Sequence, residues 1–299
     1  MESDDIRSTD LLDGSLRVLC GDVRETLKTI PAESVNCCVT SPPYWMMRCY
    51  DNDRQIGLEE TMPEYIAALV GVMREVRRVL TNDGTAWLNI GDSYARSGGW
   101  SDNSGLDGKA RGESGRAVSN IGRGKTGQKC PDGLKQKDLC MMPARAALAL
   151  QEDGWWIRND IIWRKTNPMP DSATDRCAKT HEHLWLLTKS ETYHFCMNET
   201  GKLGDVWETP CSNYNGAHFA TFPPELITRC VLAGCPVGGV VLDPFAGSGT
   251  TGMVALELGR RALLCELNPE YVKLINQRTN VTQGFALPSN KDIRPHENP

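Results

Sequence analysis

The segment Val240-Val241-Leu242-Asp243-Pro244-Phe245-Ala246-Gly247-Ser248-Gly249-Thr250-Thr251 decides the fold class. Its apolar start predicts a buried strand, and its two glycines predict a tight loop that leads into a helix. Glycines in such a loop let backbone amides approach a ligand closely at the helix N-terminus. Glu266 ends the next apolar segment, where a carboxylate can accept hydrogen bonds from both hydroxyls of a ribose. The segment therefore predicts a nucleoside site, with a tight turn beside a solvent-facing acid as the plain alternative.

Extended and helical patterns alternate on the N-terminal and C-terminal sides of this segment. Strands are predicted at 16–20, 35–39, 85–90, 156–164, 183–188, 239–243 and 261–266, and helices at 24–30, from a Thr61 cap onward, 143–152, 224–232, 250–258 and 269–278. A turn is expected at Asn82-Asp83-Gly84, and a hairpin return near Tyr193. This alternation is typical of an α/β fold, a mainly parallel sheet with helices on both faces.

The charge of the glycine loop restricts the kind of nucleoside. No lysine follows the glycines, as it would in a phosphate-binding Gly-Lys-Ser/Thr loop. Asp243 also places a negative charge where a pyrophosphate would otherwise lie. The pattern therefore favours a nucleoside that carries a cation, such as S-adenosylmethionine, over NAD or ATP.

The segment Thr40-Ser41-Pro42-Pro43-Tyr44-Trp45 ends the predicted strand 35–39 abruptly. Two consecutive prolines cannot continue a central strand, so this loop is expected at the carboxyl edge of the sheet, where open α/β sheets bind ligands. The Ser41 hydroxyl and the Pro42 carbonyl can accept hydrogen bonds from an exocyclic amine, which favours its attack on a sulfonium methyl. Tyr44 offers a stacking face for a base removed from a duplex. A proline turn with a core aromatic residue is the alternative interpretation.

The composition argues against several other classes of protein. The longest apolar run, 66–73, is far shorter than the roughly 20 residues of a membrane span. Residues 1–5 lack the basic and apolar regions of a signal peptide, so we expect a cytoplasmic protein without membrane association. The twelve cysteines include no Cys-x-x-Cys pair, and strand alternation explains the histidines that follow Cys177 without a metal. We therefore expect no metal site.

Basic residues concentrate in one segment of an acidic chain. The net charge is −5, yet residues 96–137 contain nine lysines and arginines against four acids. This segment is rich in glycine and lacks periodicity, which predicts a flexible insertion that could recognise DNA. Residues 1–14 and 284–299 are predicted to be loose termini around a single domain at 15–282.

Together these motifs resemble the amino-methyltransferase family that acts on DNA, in its permuted branch. In that branch the catalytic motif precedes the cofactor motif, as Ser41-Pro42-Pro43-Tyr44 precedes Asp243-Pro244-Phe245-Ala246-Gly247-Ser248-Gly249-Thr250 here. Further resemblance lies in Leu19-Cys20-Gly21-Asp22, Trp163 to Lys165, His181-Glu182, Asp205-Val206-Trp207 and His218 to Pro223.

The resemblance implies a three-layer α/β methyltransferase fold with a seven-stranded sheet, one strand of which is antiparallel. It implies S-adenosyl-L-methionine as cofactor and Ser41, Pro42, Pro43 and Tyr44 as catalytic residues. The cofactor-binding residues that it implies are Asp22, Thr40, Phe222, Asp243, Pro244, Phe245, Ala246, Gly247, Ser248, Gly249, Thr250, Glu266 and Leu267. His218 is a further candidate.

The expected activity is site-specific methylation of the N4 amine of cytosine in double-stranded DNA. Family members that modify cytosine usually carry serine at the position of Ser41, whereas those that modify adenine usually carry aspartate. N6-adenine methylation and an RNA amino-methyltransferase remain alternatives, while a protein-glutamine methyltransferase would carry asparagine before the prolines. A non-catalytic DNA-binding regulator would be expected to lose Pro42 or Asp243. The expected protein is bacterial or phage-encoded, a monomer or homodimer, with a possible separate restriction endonuclease as partner. Recognition of DNA is assigned to 96–137 or 190–204.

Overall fold

A single nine-stranded sheet forms the centre of the protein. The computed structural model describes residues 6–45, 47, 54–95, 130, 133–200, 203–211 and 222–282. The strands are β1 Arg7–Leu11, β2 Leu16–Cys20, β3 Val35–Thr40, β4 Leu80–Ile90, β5 Trp156–Lys165, β6 His181–Thr188, β7 Val206–Thr209, β8 Val240–Asp243 and β9 Arg261–Glu266. The α-helices are α1 Val23–Thr26, α2 Met62–Val79, α3 Met142–Glu152, α4 Met197–Thr200, α5 Pro224–Gly234, α6 Thr250–Glu257 and α7 Pro269–Thr282.

The strands lie in the order β1-β2-β9-β8-β3-β4-β6-β5-β7. Strands β2, β9, β8, β3 and β4 are parallel to one another, whereas β6 is antiparallel to both β4 and β5. Strand β7 pairs parallel to β5, and β1 pairs antiparallel to β2. The expected fold class is confirmed. The predicted number of strands, seven with one antiparallel, was wrong: the described sheet has nine strands, of which β1 and β6 are antiparallel to the rest.

The N-terminal strand β1 corrects the prediction that residues 1–14 are loose. Its residues carry no apolar periodicity, yet Arg7 to Leu11 pair with Cys20 to Leu16 across a tight turn at residues 12–15. Without β1, strand β2 would present a row of unpaired backbone groups at the sheet edge. The pairing uses backbone groups and leaves polar side chains in solvent. This explains why the sequence of β1 shows no apolar periodicity that would predict a strand. Residues 284–299 lie outside the described residues.

Two apolar cores cover the two faces of the sheet and give a three-layer arrangement. One core includes side chains of α2 and α3 such as Leu69, Met73 and Leu150. The other includes α5, α6 and α7, with Ile227, Val254 and Ile275. Helix α2 begins with the capping box that the sequence predicted: the Thr61 hydroxyl accepts from the Glu64 amide, and the Glu64 carboxylate accepts from the Thr61 amide.

Two turn predictions were wrong. Asn82-Asp83-Gly84 lies within β4, where the register against β3 shifts, because a bulge absorbs these residues without reversing the chain. The segment around Tyr193 is an irregular connection to α4 rather than a hairpin strand, since the His194 amide donates to the Asp83 carbonyl across the chain. Among the described residues, no helix is both long and apolar enough to cross a membrane.

Candidate active site

Both sequence motifs lie at the same edge of the sheet. Strands β2, β9, β8 and β3 are parallel neighbours, so the residues that follow their carboxyl ends are brought together. Asp22 follows β2, Glu266 ends β9, Asp243 ends β8 and Ser41 follows β3. The structure therefore joins the glycine loop and the Pro-Pro loop, which are about two hundred residues apart in the chain.

Asp243 is buried and links the two loops. One carboxylate oxygen accepts from the Thr40 hydroxyl at 2.8 Å and from the Phe245 amide at 3.0 Å, and the other accepts from the Thr251 hydroxyl at 2.6 Å. Burial raises the pKa of Asp243 to about 6, and these hydrogen bonds oppose the rise. Asp243 thus holds the end of β3 against the start of α6, the two elements that carry the predicted motifs.

Glu266 is the second buried carboxylate and supports the glycine loop from β9. Its oxygens accept from the Gly247 amide and the Asn268 amide, each at 2.8 Å. Burial raises the pKa of Glu266 to about 7, although the same amides lower it. A carboxylate oxygen has two lone pairs, so each oxygen can accept a further hydrogen bond from a hydroxyl.

The glycine loop needs glycine for conformation and for packing. Gly247 has φ +52° and Gly249 has φ +80°, in the region that side chains disfavour. A Cβ on Gly249 would lie 2.9 Å from the Ile275 side chain of α7. Arg278, also on α7, donates to the Ser248 carbonyl at 2.7 Å and the Ser248 hydroxyl at 2.6 Å. Sequence reasoning missed Arg278, because no local motif links α7 to the loop.

Asp22 follows the end of β2, the strand that pairs with β9, where Cys20 and Glu266 are register partners. Its carboxylate caps α1 by accepting from the Arg24 amide at 2.9 Å and forms an ion pair with the Arg24 guanidinium at 2.5 Å. Burial alone would raise the pKa of Asp22, but the hydrogen bonds and charge of Arg24 lower it. Asp22 is therefore ionised and in place beside the predicted cofactor site.

The Pro-Pro loop is fixed by contacts with α2 and with the residues that directly precede α2. Pro42 is buried, and the Pro43 carbonyl accepts from the Tyr65 hydroxyl at 3.0 Å. The Trp45 indole is 2% exposed and donates to the Glu59 carbonyl at 2.9 Å. Such contacts hold the loop at Pro43 and Trp45, directly after Ser41 and Pro42.

The Tyr44 hydroxyl enters a polar cluster that the sequence did not indicate. It lies 2.7 Å from the Glu182 carboxylate, 3.1 Å from the Asn89 side-chain oxygen and 3.4 Å from the Ser41 hydroxyl. Glu182 also forms an ion pair with Lys165 at 2.5 Å. Strand parity could have identified Glu182 and Asn89 as buried polar residues, because they share an apolar face with Leu184 and Trp87.

Phe222, which the resemblance implies as a cofactor-binding residue, lies near the end of β3. It lines a shallow depression together with Thr40, Asn89 and residues of α5. Its backbone precedes the Pro223-Pro224 start of α5, which fixes its position relative to the sheet. His218 lies outside the described residues.

The basic insertion starts at the same edge of the sheet. Its stem is described: the Ala95 amide donates to the Asp138 carbonyl and the Lys137 amide donates to the Ala95 carbonyl, each at 2.8 Å. Residues 96–129 and 131–132 lie outside the described residues. In the part of the chain that is described, no group of three His, Cys, Asp or Glu side chains could hold a metal ion.

The sheet order and the two joined loops define an α/β protein of the methyltransferase type. Residues 35–277 match the family model described as DNA methylase, and the chain belongs to that family. The expected family is thereby confirmed.

Curated relatives agree over nearly the whole chain. Type II methyltransferase M.XycI of Xanthomonas campestris pv. cyanopsidis is 45% identical over 267 residues, which cover 86% of this chain and 85% of the relative. Type II methyltransferase M.SmaI of Serratia marcescens is 45% identical over 276 residues, covering 88% and 90%.

Solved structures show the same fold. The PvuII DNA methyltransferase (cytosine-N4-specific) superposes with a TM-score of 0.66 at 20% identity, covering 88% of this chain and 86% of that one. TTHA0409 from Thermus thermophilus, complexed with S-adenosyl-L-methionine, superposes with a TM-score of 0.61 at 26% identity, covering 92% and 94%.

The protein is therefore a DNA methyltransferase whose cofactor is S-adenosyl-L-methionine. The residues present fit this cofactor. Glu266 retains lone pairs that can accept from two ribose hydroxyls, and Asp22 supplies an ionised carboxylate on the adjacent strand. The glycine loop follows the neighbouring strand β8, on the other side of Glu266 from Asp22, and residues 243–251 include no cation that would repel a sulfonium.

Proposed function

We propose that this chain transfers a methyl group from S-adenosylmethionine to the exocyclic N4 amine of cytosine in double-stranded DNA, at a specific site and after base flipping. One observation carries the proposal: the Thr40 hydroxyl donates to Asp243 at 2.8 Å. Since Ser41 directly follows Thr40, this bond supports the proposal that Ser41 and Pro42 present the amine to the loop proposed to hold the cofactor.

The proposed chemistry assigns a separate task to each loop. When bound, the cofactor supplies an electrophilic methyl group on a sulfonium. The Ser41 hydroxyl and the Pro42 carbonyl accept hydrogen bonds from the amine protons, which localises the nitrogen lone pair for attack. The half-buried ring of Tyr44 stacks on the flipped base, an interaction worth roughly 1–3 kcal/mol, comparable to the cost of flipping.

Cytosine is proposed over adenine because of Ser41. Family members that modify cytosine usually carry serine at this position, and the neutral Ser41 hydroxyl can accept a hydrogen bond from the amine. Both bases present an amine beside a ring nitrogen, so N6-adenine methylation is the competing outcome. The fold-level likeness to the cytosine-N4-specific PvuII DNA methyltransferase supports the same choice.

The relatives named Type II methyltransferases support a role in restriction-modification, with a separate endonuclease as counterpart. We further propose that residues 96–137, together with or instead of 190–204, recognise the DNA. A bacterial or phage-encoded cytoplasmic enzyme, monomeric or dimeric, fits this role.

Methyl transfer onto different nucleic acids tests the proposal. Purified protein is incubated with tritiated S-adenosylmethionine and either unmethylated genomic duplex DNA, the same DNA denatured, or total RNA. We expect label in duplex DNA and little in RNA, and at least tenfold less label with Tyr44→Ala. Preferential labelling of RNA, or full activity of Tyr44→Ala, would contradict the proposed function.

A further inference from the structure

Glu182 connects the Pro-Pro loop to strand β6, 138 residues away in sequence from Tyr44. Its carboxylate accepts from the Tyr44 hydroxyl at 2.7 Å and from the Lys165 ammonium at 2.5 Å. The side chains of Glu182 and Lys165 are only 11% and 19% exposed. Burial alone would raise the pKa of Glu182, but the Lys165 charge and the hydrogen bonds from Lys165 and Tyr44 lower it. Glu182 is therefore an ionised acceptor at neutral pH.

The single proton of the Tyr44 hydroxyl has a defined direction. Two acceptors lie within reach, the Glu182 carboxylate at 2.7 Å and the Asn89 side-chain oxygen at 3.1 Å. Hydrogen bonds to an ionised acceptor are shorter and about twice as strong as neutral ones. The Tyr44 hydroxyl therefore donates its proton to the Glu182 carboxylate and not to Asn89. The Tyr44 oxygen is then left to accept, and the Ser41 hydroxyl donates to it at 3.4 Å.

This order of donors also orients Ser41. A hydroxyl has one proton and two lone pairs. When the Ser41 proton points to Tyr44, only the lone pairs of Ser41 remain for the target amine. The chain of bonds from Ser41 through Tyr44 to Glu182 therefore favours Ser41 as an acceptor.

Close packing against Gly91 and the hydrogen bond to Glu182 together restrain the Tyr44 ring. A Cβ on Gly91 would lie 2.6 Å from Cε2 of Tyr44, so the ring rests directly on the backbone beyond β4. The Gly91 backbone lies against the ring at Cε2, and Glu182 holds its hydroxyl end. A platform held at two points loses little conformational freedom when a base stacks on it.

We propose that Glu182 is a positioning residue for methyl transfer, which acts through the Tyr44 hydroxyl to fix the tyrosine ring and the direction of the Ser41 proton. The inference rests on the proposed function of Ser41 and Tyr44. Lys165 has the supporting task of compensating the buried charge of Glu182.

A purely structural role is the competing explanation. Lys165 and Glu182 lie on neighbouring strands β5 and β6, so their ion pair could serve only to stabilise the sheet. That role would not depend on Tyr44. The two explanations therefore differ in whether the effects of changing Glu182 and Tyr44 are coupled.

A double-mutant cycle on the single-turnover rate of methyl transfer distinguishes them. Glu182→Gln, Tyr44→Phe and the double variant are compared with the wild-type chain on unmethylated duplex DNA with saturating S-adenosylmethionine. We expect Glu182→Gln to lower the rate about tenfold when Tyr44 is present, and less than about twofold when it is added to Tyr44→Phe. Cofactor affinity should stay within about twofold throughout.

Glu208→Gln is the matched control, because Glu208 pairs with Arg164 across β5 and β7 at an exposed position away from Tyr44. It should leave the rate unchanged. Equal rate losses from Glu182→Gln with and without Tyr44→Phe, or no loss in either case, would overturn the inference. An active Tyr44→Ala variant would instead contradict the proposed function itself.

Glu182→Gln leaves the buried ammonium of Lys165 without its counter-charge, which can impair folding. If that variant does not fold, Lys165→Met combined with Glu182→Gln restores charge balance while still removing the ionised acceptor. This pair should show the same dependence on Tyr44. An unchanged rate in the folded pair would overturn the inference.

Discussion

The proposed role of Glu266 in binding the cofactor has a consequence for pH dependence at the scale of a single residue. Its pKa is raised to about 7 by burial, so the carboxyl is partly protonated at neutral pH before the cofactor binds. In the proposed site the ribose hydroxyls donate to the ionised form, so binding is expected to require release of that proton. Affinity consequently rises with pH up to about 7 and levels off above it, since the ionised form then predominates.

We predict that the dissociation constant for S-adenosylmethionine rises up to about tenfold per pH unit below pH 7. Glu266→Gln should bind roughly tenfold to a hundredfold more weakly and lose this component of the pH dependence. Calorimetric titration from pH 5.5 to 8.5 measures both. Because groups on the cofactor titrate equally with both proteins, the difference between the two curves isolates Glu266. Parallel curves would contradict the assignment.

Tyr44 should separate cofactor binding from methyl transfer. Tyr44→Ala removes the stacking face and should lower the rate roughly tenfold to a hundredfold while leaving cofactor affinity unchanged. Tyr44→Phe keeps the ring and should show a milder loss. Single-turnover rates and calorimetry make the comparison, and equal losses in the two variants would show that the hydroxyl, not the stacking face, carries the effect.

Single residues were predictable where a motif is continuous in sequence. Thr40, Ser41, Asp243 and Glu266 lie together as the strand-end argument expected. The sequence could not predict the hydrogen bonds that the two oxygens of Asp243 accept. Their donors, Thr40, Phe245 and Thr251, come from two separate loops. The assignment of individual side chains to substrate and cofactor stays a prediction.

At the scale of elements, helix α7 serves the glycine loop as well as the core. Arg278 donates to both the carbonyl and the hydroxyl of Ser248. We predict that Arg278→Met weakens S-adenosylmethionine binding about tenfold, because the loop loses two charge-assisted hydrogen bonds. Lys273→Met is the control on the same helix, since Lys273 is 66% exposed and pairs with Glu270. Equal cofactor affinities in the two folded variants would show that the contact does not organise the loop.

The basic insertion should contribute charge to DNA binding. We predict that neutralising Arg111, Arg116, Arg123 and Lys125 together weakens binding and flattens its salt dependence. Each lost phosphate contact should reduce the log-log slope by roughly 0.9. Binding to duplex DNA is measured between 50 and 300 mM salt.

Four surface cations on other elements provide the control for this experiment: Arg17, Lys28, Arg261 and Lys273. Neutralising them should leave the slope unchanged. An unaltered slope in the insertion variant would favour a solvated surface loop instead. The four changed insertion residues lie outside the described residues.

Elements were predictable from sequence where an apolar period supports them. The sequence located β9 at Arg261–Glu266 and the start of α2 after Thr61. Strand β1 was missed because its sequence has no apolar period: it pairs through its backbone at the sheet edge, and of its five residues Leu11 packs against the core. The turn predicted at Asn82-Asp83-Gly84 was wrong, because these residues, although typical of turns, are accommodated in a bulge of β4.

At the scale of the whole molecule, motif order explains the architecture. A parallel sheet brings strand ends together regardless of their order in the chain, so a catalytic loop after β3 and a cofactor loop after β8 become neighbours. The sequence could predict this convergence from strand ends alone. It could not predict the Tyr44–Glu182–Lys165 cluster, which depends on how β6 and β5 pair beyond β4.

The identity of the methylated base tests the central claim most directly. Duplex DNA modified by the purified protein is digested to nucleosides, and the products are resolved by mass spectrometry, with DNA treated by the Tyr44→Ala variant as control. The account predicts N4-methylcytosine as the product of the wild-type chain. N6-methyladenine as the sole methylated nucleoside would contradict it.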